Sequence, residues 1–121
     1  VTDLPGTDYE VTAEISKTLP ENFETVKPTW IVIDMDKVSM PLKIRNRKPG
    51  DWFRPTGQQG SKKLKKFLID SKVPRRERCQ LPVLVTGDDQ VVWLIGLKAD
   101  RRWLAEPGTI KAMKLNLSRK L

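Results

Sequence analysis

Residues 43–78, KIRNRKPGDWFRPTGQQGSKKLKKFLIDSKVPRRER, hold the side chains of this sequence best suited to a defined chemistry. The segment carries thirteen lysines and arginines against three acids, Asp51, Asp70 and Glu77, a net charge of +10 in a chain that totals +8. That chemistry is the capture of polyanions, because charge so concentrated sets a long-range field over one face. Spacing sharpens the expectation. Lys43, Arg45 and Arg47 alternate with Leu42 and Ile44, so a strand would stand the three cations in a row, about 6.5–7 Å apart. That interval is close to the phosphate step of a nucleic-acid strand, although a solvated strand face has the same pattern. Lys62, Lys63, Lys65 and Lys66 follow with no acid among them. Like charges at helical spacing repel by a few tenths of a kcal/mol per pair, so a polyanionic partner explains them better than a plain solvated face.

Covalent chemistry finds no footing. The chain has no histidine, which removes Ser-His-Asp and Cys-His sites and the commonest metal ligand. Asp34 and Asp36 have the spacing of a Mg²⁺ pair, but a turn after a strand explains them equally well. Gly57 and Gly60 are too close together for a phosphate-binding P-loop. Cys79 is the single cysteine, which excludes a disulfide framework, and it lacks a base to activate it. The residues describe a chain that binds and carries no catalytic or metal site.

Several elements must position the basic segment. Tyr9–Ser16 alternates as a half-buried strand, Trp30–Asp34 reads as a buried one, and residues 18–29 read as a loop. Lys48-Pro49-Gly50-Asp51 forms a turn. Trp52 and Phe53 beside Arg54 either stack a base or anchor the loop in the core, and anchoring is the commoner use. Gly57 and Gly60 let the following loop adopt positive φ. Ser61 is placed as the N-cap of a helix whose apolar stripe is Leu64, Phe67 and Leu68, with its N-terminal N–H groups offered to a phosphate. Val73-Pro74 ends that helix, and Pro74 opens a short second one through Arg78. Pro82–Val85 and Val91–Ile95 form a hairpin around Gly87–Gln90, with Trp93 in the core. Thr109–Ser118 alternates again and is expected to close the sheet as an edge strand.

At 121 residues the chain is expected to be one domain, 1–121. No apolar run approaches the roughly 20 residues of a membrane span, and the expected setting is cytoplasmic. Residues 1–42 carry net −5 and residues 79–121 net +3, so the acidic first third should turn away from a polyanion. A start at Val1 suggests a piece of a longer protein.

The order of motifs over residues 44–102 resembles the C-terminal substrate-binding domain of bacterial tRNA(Ile)-lysidine synthetases. The resemblance rests on Arg45 and Arg47, then Gly50, Asp51, Phe53, Arg54 and Pro55. It continues through Gly57, Gly60, Ser61, Lys62, Lys63, Leu64, Lys65 and Phe67. Lys72, Val73, Pro74, Arg75, Arg78, Leu81 and Pro82 come next, followed by Gly96, Leu97, Asp100 and Arg102. The resemblance implies an α+β layered domain, a β-sandwich of mostly antiparallel short strands with one or two short helices, akin to a domain of the phenylalanyl-tRNA synthetase β chain. It implies a parent ligase that uses ATP, with Mg²⁺, to attach lysine to the wobble cytidine of tRNA(Ile) with a CAU anticodon. ATP and Mg²⁺ would belong to a catalytic domain of the same polypeptide, since no S-G-G-x-D-S loop occurs in these residues. This part would grip the acceptor stem and help reject tRNA(Met); a homodimer stays open. The expected tRNA-facing set is Lys43, Arg45, Arg47, Arg54, Ser61, Lys62, Lys63, Lys65, Lys66, Arg75, Arg78 and Arg102. The charge alone would equally suit a general RNA-binding module of a ribosome-associated factor, or an interaction domain for an acidic protein.

Overall fold

A computed structural model describes residues 2–4, 7–19, 27–78 and 81–119 of the chain. Two four-stranded antiparallel sheets face each other. The first holds β1 (Thr2–Asp3), β2 (Tyr9–Ser16), β3 (Trp30–Asp34) and β10 (Ala112–Arg119), in the order β1-β2-β10-β3. The second holds β4 (Lys43–Asn46), β7 (Pro82–Val85), β8 (Val91–Leu94) and β9 (Lys98–Ala99), ordered β4-β7-β8-β9. A small ribbon of β5 (Trp52–Phe53) and β6 (Lys62–Lys63) leads into helix α1 (Leu64–Asp70), and α2 (Arg75–Arg78) follows.

Val11, Ile31, Ile33, Met113 and Leu115 of the first sheet meet Leu84, Val92 and Trp93 of the second in one core. The other face of β7 and β8 packs Val83, Val85, Val91 and Leu94 against Phe53, Leu64 and Leu68. These strands are covered on both faces, which is why they read as unbroken apolar runs rather than alternating ones. The layered α+β sandwich of mostly antiparallel strands is the expected fold class, and the 82–95 hairpin and buried Trp93 are as the sequence indicates.

Three expectations change. β10 is an interior strand, paired with β2 on one side and β3 on the other, so it does not close an edge. Its lysine is a cross-strand partner instead: Lys114 Nζ lies 3.2 Å from Glu14. Ser61 does not cap α1, because Lys62–Lys63 first form a strand against Trp52–Phe53 and the capping position falls to Lys63, whose side chain makes no capping bond. Helix α1 stops at Asp70, before Val73-Pro74: the N–H groups of Lys72 and Val73 donate back to the carbonyls of Ile69 and Leu68. Lys72 adopts φ +61° to close this cap, a conformation that glycine takes without the Cβ penalty.

Lys72→Gly should therefore stabilise the fold by about 0.5–1 kcal/mol, raising the melting temperature by about 2–6 °C. Calorimetry showing no rise would contradict the strained cap.

Candidate nucleic-acid interface

The interface begins at the Lys48–Asp51 turn. The Asp51 carboxylate accepts the Lys48 N–H at 2.8 Å and two parallel bonds from Arg45, at 2.9 and 3.0 Å. Arg45 Nε reaches Asp89 of the β7–β8 turn at 2.9 Å. One guanidinium thus pins β4, the 48–51 turn and the hairpin tip together. The Asp51 carbonyl accepts the Leu64 N–H at 3.0 Å, so the first amide of α1 is satisfied by protein and is not offered to a phosphate.

Directly beyond the turn, β5 sends its two aromatics to opposite sides, as alternation requires. Phe53 is fully buried and meets Phe67 edge-on at 5.3 Å, whereas Trp52 stays 39% exposed. The pair divides the two roles the sequence offered. Trp52 faces Lys63 across the ribbon.

Asp100 is the second organiser. It is fully buried, and its carboxylate accepts the N–H of Arg54 at 2.9 Å, the N–H of Arg102 at 2.8 Å, and Arg102 Nε and Nη2 at 3.1 and 2.8 Å. Arg102 Nη1 donates to Gln90 at 3.0 Å. The guanidinium lies over the Trp52 ring at 4.6 Å from its centroid and over Trp103 at 4.8 Å. Trp103 in turn donates its indole N–H to the Val91 carbonyl at 2.9 Å.

Two hollows border Trp52. One, about 290 Å³, lies towards Lys48, Gly50, Gln90 and Arg102. The other, about 340 Å³, is lined by Trp52, Arg54, Ser61, Lys62 and Lys63, with no acidic side chain.

The expected cations thus separate into kinds. Arg45 and Arg102 are held by carboxylates, and Arg47 Nε donates to the Arg78 carbonyl at 2.9 Å. The row of three exposed cations on β4 is therefore absent; only Lys43 stands out from it. Lys62 and Lys66 share Asp70, at 2.7 and 3.5 Å, so the lysine helix is not without an acid. Lys63 and Lys65 are exposed, and Arg54 makes no ion pair among the described residues. Arg75 is exposed on α2, which also carries Arg78. Lys48 and Arg101 are exposed but outside the expected tRNA-facing set; Arg101 Nη1 donates to the Gly60 carbonyl at 3.0 Å. Lys48 stands in the 48–51 turn and Arg101 in a single 3-10 turn, Arg101–Trp103, where alternation gives no signal. Asp34 serves the turn after β3, accepting from the Asp36 N–H at 2.9 Å and the Thr109 hydroxyl at 3.1 Å. Among the described residues no group of three or more His, Cys, Asp or Glu is placed to hold a metal. Cys79 lies outside the described residues.

Burial alone would push the Asp51 carboxyl up, but the Arg45 bonds and the Lys48 N–H together hold it below its ordinary 3.8. Asp89 is lowered chiefly by its bond from Arg45, and Arg45 is raised, first of all by Asp51.

This α+β sandwich has solved counterparts. The crystal structure of a TilS C-terminal domain matches with a TM-score of 0.84 and 30% identity, over 98% of this chain and 88% of that one. An N-terminal fragment of the phenylalanyl-tRNA synthetase β-subunit from Pyrococcus horikoshii shares the fold, with a TM-score of 0.64 and 15% identity over 76% of this chain and 28% of that one. The chain belongs to the family described as TilS substrate C-terminal domain, whose sequence model matches residues 42–116. A tRNA(Ile)-lysidine synthase of Symbiobacterium thermophilum is 47% identical over 88 residues, which make up 73% of this chain and 18% of that relative. The chain therefore corresponds to a small part of the length of such relatives.

Asp51→Ala should cost about 1.5–3 kcal/mol at neutral pH. Because the folded carboxyl titrates below its unfolded value of 3.8, its contribution is present above that pH and is lost as pH falls through the folded pKa. Denaturant titrations should show the native-minus-variant gap shrinking below about pH 4; a constant gap would contradict the ion pair's role.

Proposed function

We propose that this chain is the tRNA-holding domain of an ATP-dependent ligase that attaches lysine to the wobble cytidine of tRNA(Ile) bearing a CAU anticodon. Its own task is to grip the acceptor-stem region, which helps the enzyme reject tRNA(Met) with the same anticodon. ATP and Mg²⁺ are used by the catalytic domain of the same polypeptide, in the cytoplasm, and residues 1–121 act as one binding unit. The observation that carries this reading is the acid-free hollow of Arg54, Ser61, Lys62 and Lys63 beside an exposed tryptophan. Family membership supports tRNA as the polyanion.

An A-form stem is read through its shape, its phosphates and its 2′-hydroxyls, because the deep groove excludes side chains. Lys43, Lys48, Arg54, Ser61, Lys63 and Lys65 are suited to such contacts, as exposed groups without a carboxylate partner among the described residues. Lys62 and Lys66 join them by exchanging Asp70 for phosphate, with Arg75 and Arg78 flanking. Arg45, Arg47 and Arg102 act in this reading as positioning residues. No helix of the described residues is long and apolar enough to cross a membrane.

If about six phosphates are neutralised, tRNA affinity should fall by roughly a thousandfold between 50 and 200 mM salt. Fluorescence anisotropy with labelled tRNA(Ile) measures this directly. The double variant Arg54→Glu/Lys63→Glu should bind at least about tenfold more weakly, while Lys17→Glu/Lys111→Glu should bind like the native chain. Lys27 is unsuited as a control because it shares a cleft with Thr56 and Lys98. Equal losses in both variants would move the surface elsewhere. Equal affinity for unrelated RNA would favour a general RNA-binding module, salt-independent binding would overturn the electrostatic grip, and absent tRNA binding at physiological salt would favour an acidic protein partner.

A further inference from the structure

We propose that Trp52 is a stacking platform for one unpaired nucleotide of the bound RNA, a single-stranded end or a bulged base, whose phosphate sits in the hollow of Arg54, Ser61 and Lys63. The proposal rests on the RNA-binding reading above and goes beyond a grip on the duplex.

Exposure of one tryptophan means little alone. Here the ring belongs to a built column of Trp103, the Arg102 guanidinium and Trp52, with the cation 4.8 and 4.6 Å from the two ring centroids. Asp100 and Gln90 fix that guanidinium through hydrogen bonds to each of its nitrogens. The Trp52 ring is therefore held before any ligand arrives, so stacking on it costs little conformational entropy. Arg102 borders the first hollow with Trp52; the Arg54 guanidinium borders the second and stands over the ring, 5.9 Å from its centroid, so a stacking base displaces it towards the phosphate. The second hollow, about 340 Å³, falls at the lower end of the range for small-ligand sites. Its walls combine an aromatic surface, a hydroxyl and three cations, the combination that binds single-stranded nucleotides without base preference.

A base inside a duplex has both faces covered by its neighbours and cannot offer one to Trp52. Away from the ends of a stem, only an unpaired nucleotide can. The geometry thus names a ligand feature, a free base face next to a phosphate, that the interior of a stem does not supply.

The test compares two labelled RNAs with the same stem, one blunt and one with a four-nucleotide single-stranded 3′ extension, at 50 mM salt. The native chain should bind the extended RNA about tenfold more tightly. Trp52→Leu should remove that gain, weakening the extended RNA about tenfold more than the blunt stem, while Trp52→Phe should retain part of it. Equal binding of the two RNAs by the native chain would overturn the stacking site while leaving the stem grip standing. A Trp52→Leu variant that weakens both RNAs alike would also overturn it. Binding of neither RNA would overturn both readings. Binding of the extended RNA alone would keep the platform and overturn the stem grip.

Discussion

A carboxylate with no solvent contact must be satisfied by the protein or it destabilises the fold by several kcal/mol. Asp100 is such a group, and the way it is satisfied decides the shape of the basic face. Its donors come from two places: the backbone of Arg54, after the β5 strand, and the backbone and guanidinium of Arg102, after β9. Around it the Arg101 N–H donates to the Arg54 carbonyl at 2.8 Å and the Thr56 N–H to the Ala99 carbonyl at 3.1 Å. The loop that bears Arg54 is thereby joined to the rim of the second sheet. Arg102, once held, has its flat face left for Trp52 and Trp103. One buried charge thus orients a loop, an arginine and an exposed aromatic ring at once.

The Arg45–Asp51–Asp89 cluster does the same beside the first hollow next to Trp52, and it shows a division between arginine and lysine. The cations used inside are arginines, whose planar fork matches carboxylates and aromatic faces. Those left exposed without a carboxylate among the described residues include the lysines Lys43, Lys48, Lys63 and Lys65, together with Arg54 and Arg101. A smaller part of the segment's positive charge, Arg45 and Arg47, therefore shapes the surface, and the larger part stands exposed to a partner. Both parts come from the same short stretch of chain because the scaffold and the surface it supports are adjacent layers of one ribbon.

Pattern made much of this visible in the sequence. Alternation marked β2, unbroken apolar runs marked β3, β7 and β8, and the Gly87–Gln90 turn marked the hairpin. The ordered motifs of residues 44–102 pointed to the family and its sandwich fold. What pattern cannot carry is the identity of a distant neighbour. Arg45 and Asp89 are 44 residues apart, and Arg54 and Asp100 are 46 apart. Charge counting consequently took the half-buried arginines Arg45, Arg47 and Arg102 for exposed ones. Alternation likewise identified β10 as a strand without revealing that it has partners on both sides. Ser61 had the chemistry of a cap, but pairing of Lys62–Lys63 with Trp52–Phe53 outweighed it and moved the helix start to Leu64.

The most direct test of the basic ribbon as an RNA-binding face is an NMR titration of the domain with an RNA acceptor stem, followed through backbone amide shifts. Perturbations should cluster at residues 48–66 and 98–102, on both sides of Trp52, and leave β2 and β3 unaffected. Shifts confined to the first sheet, or none at a salt concentration where other basic domains bind, would contradict it.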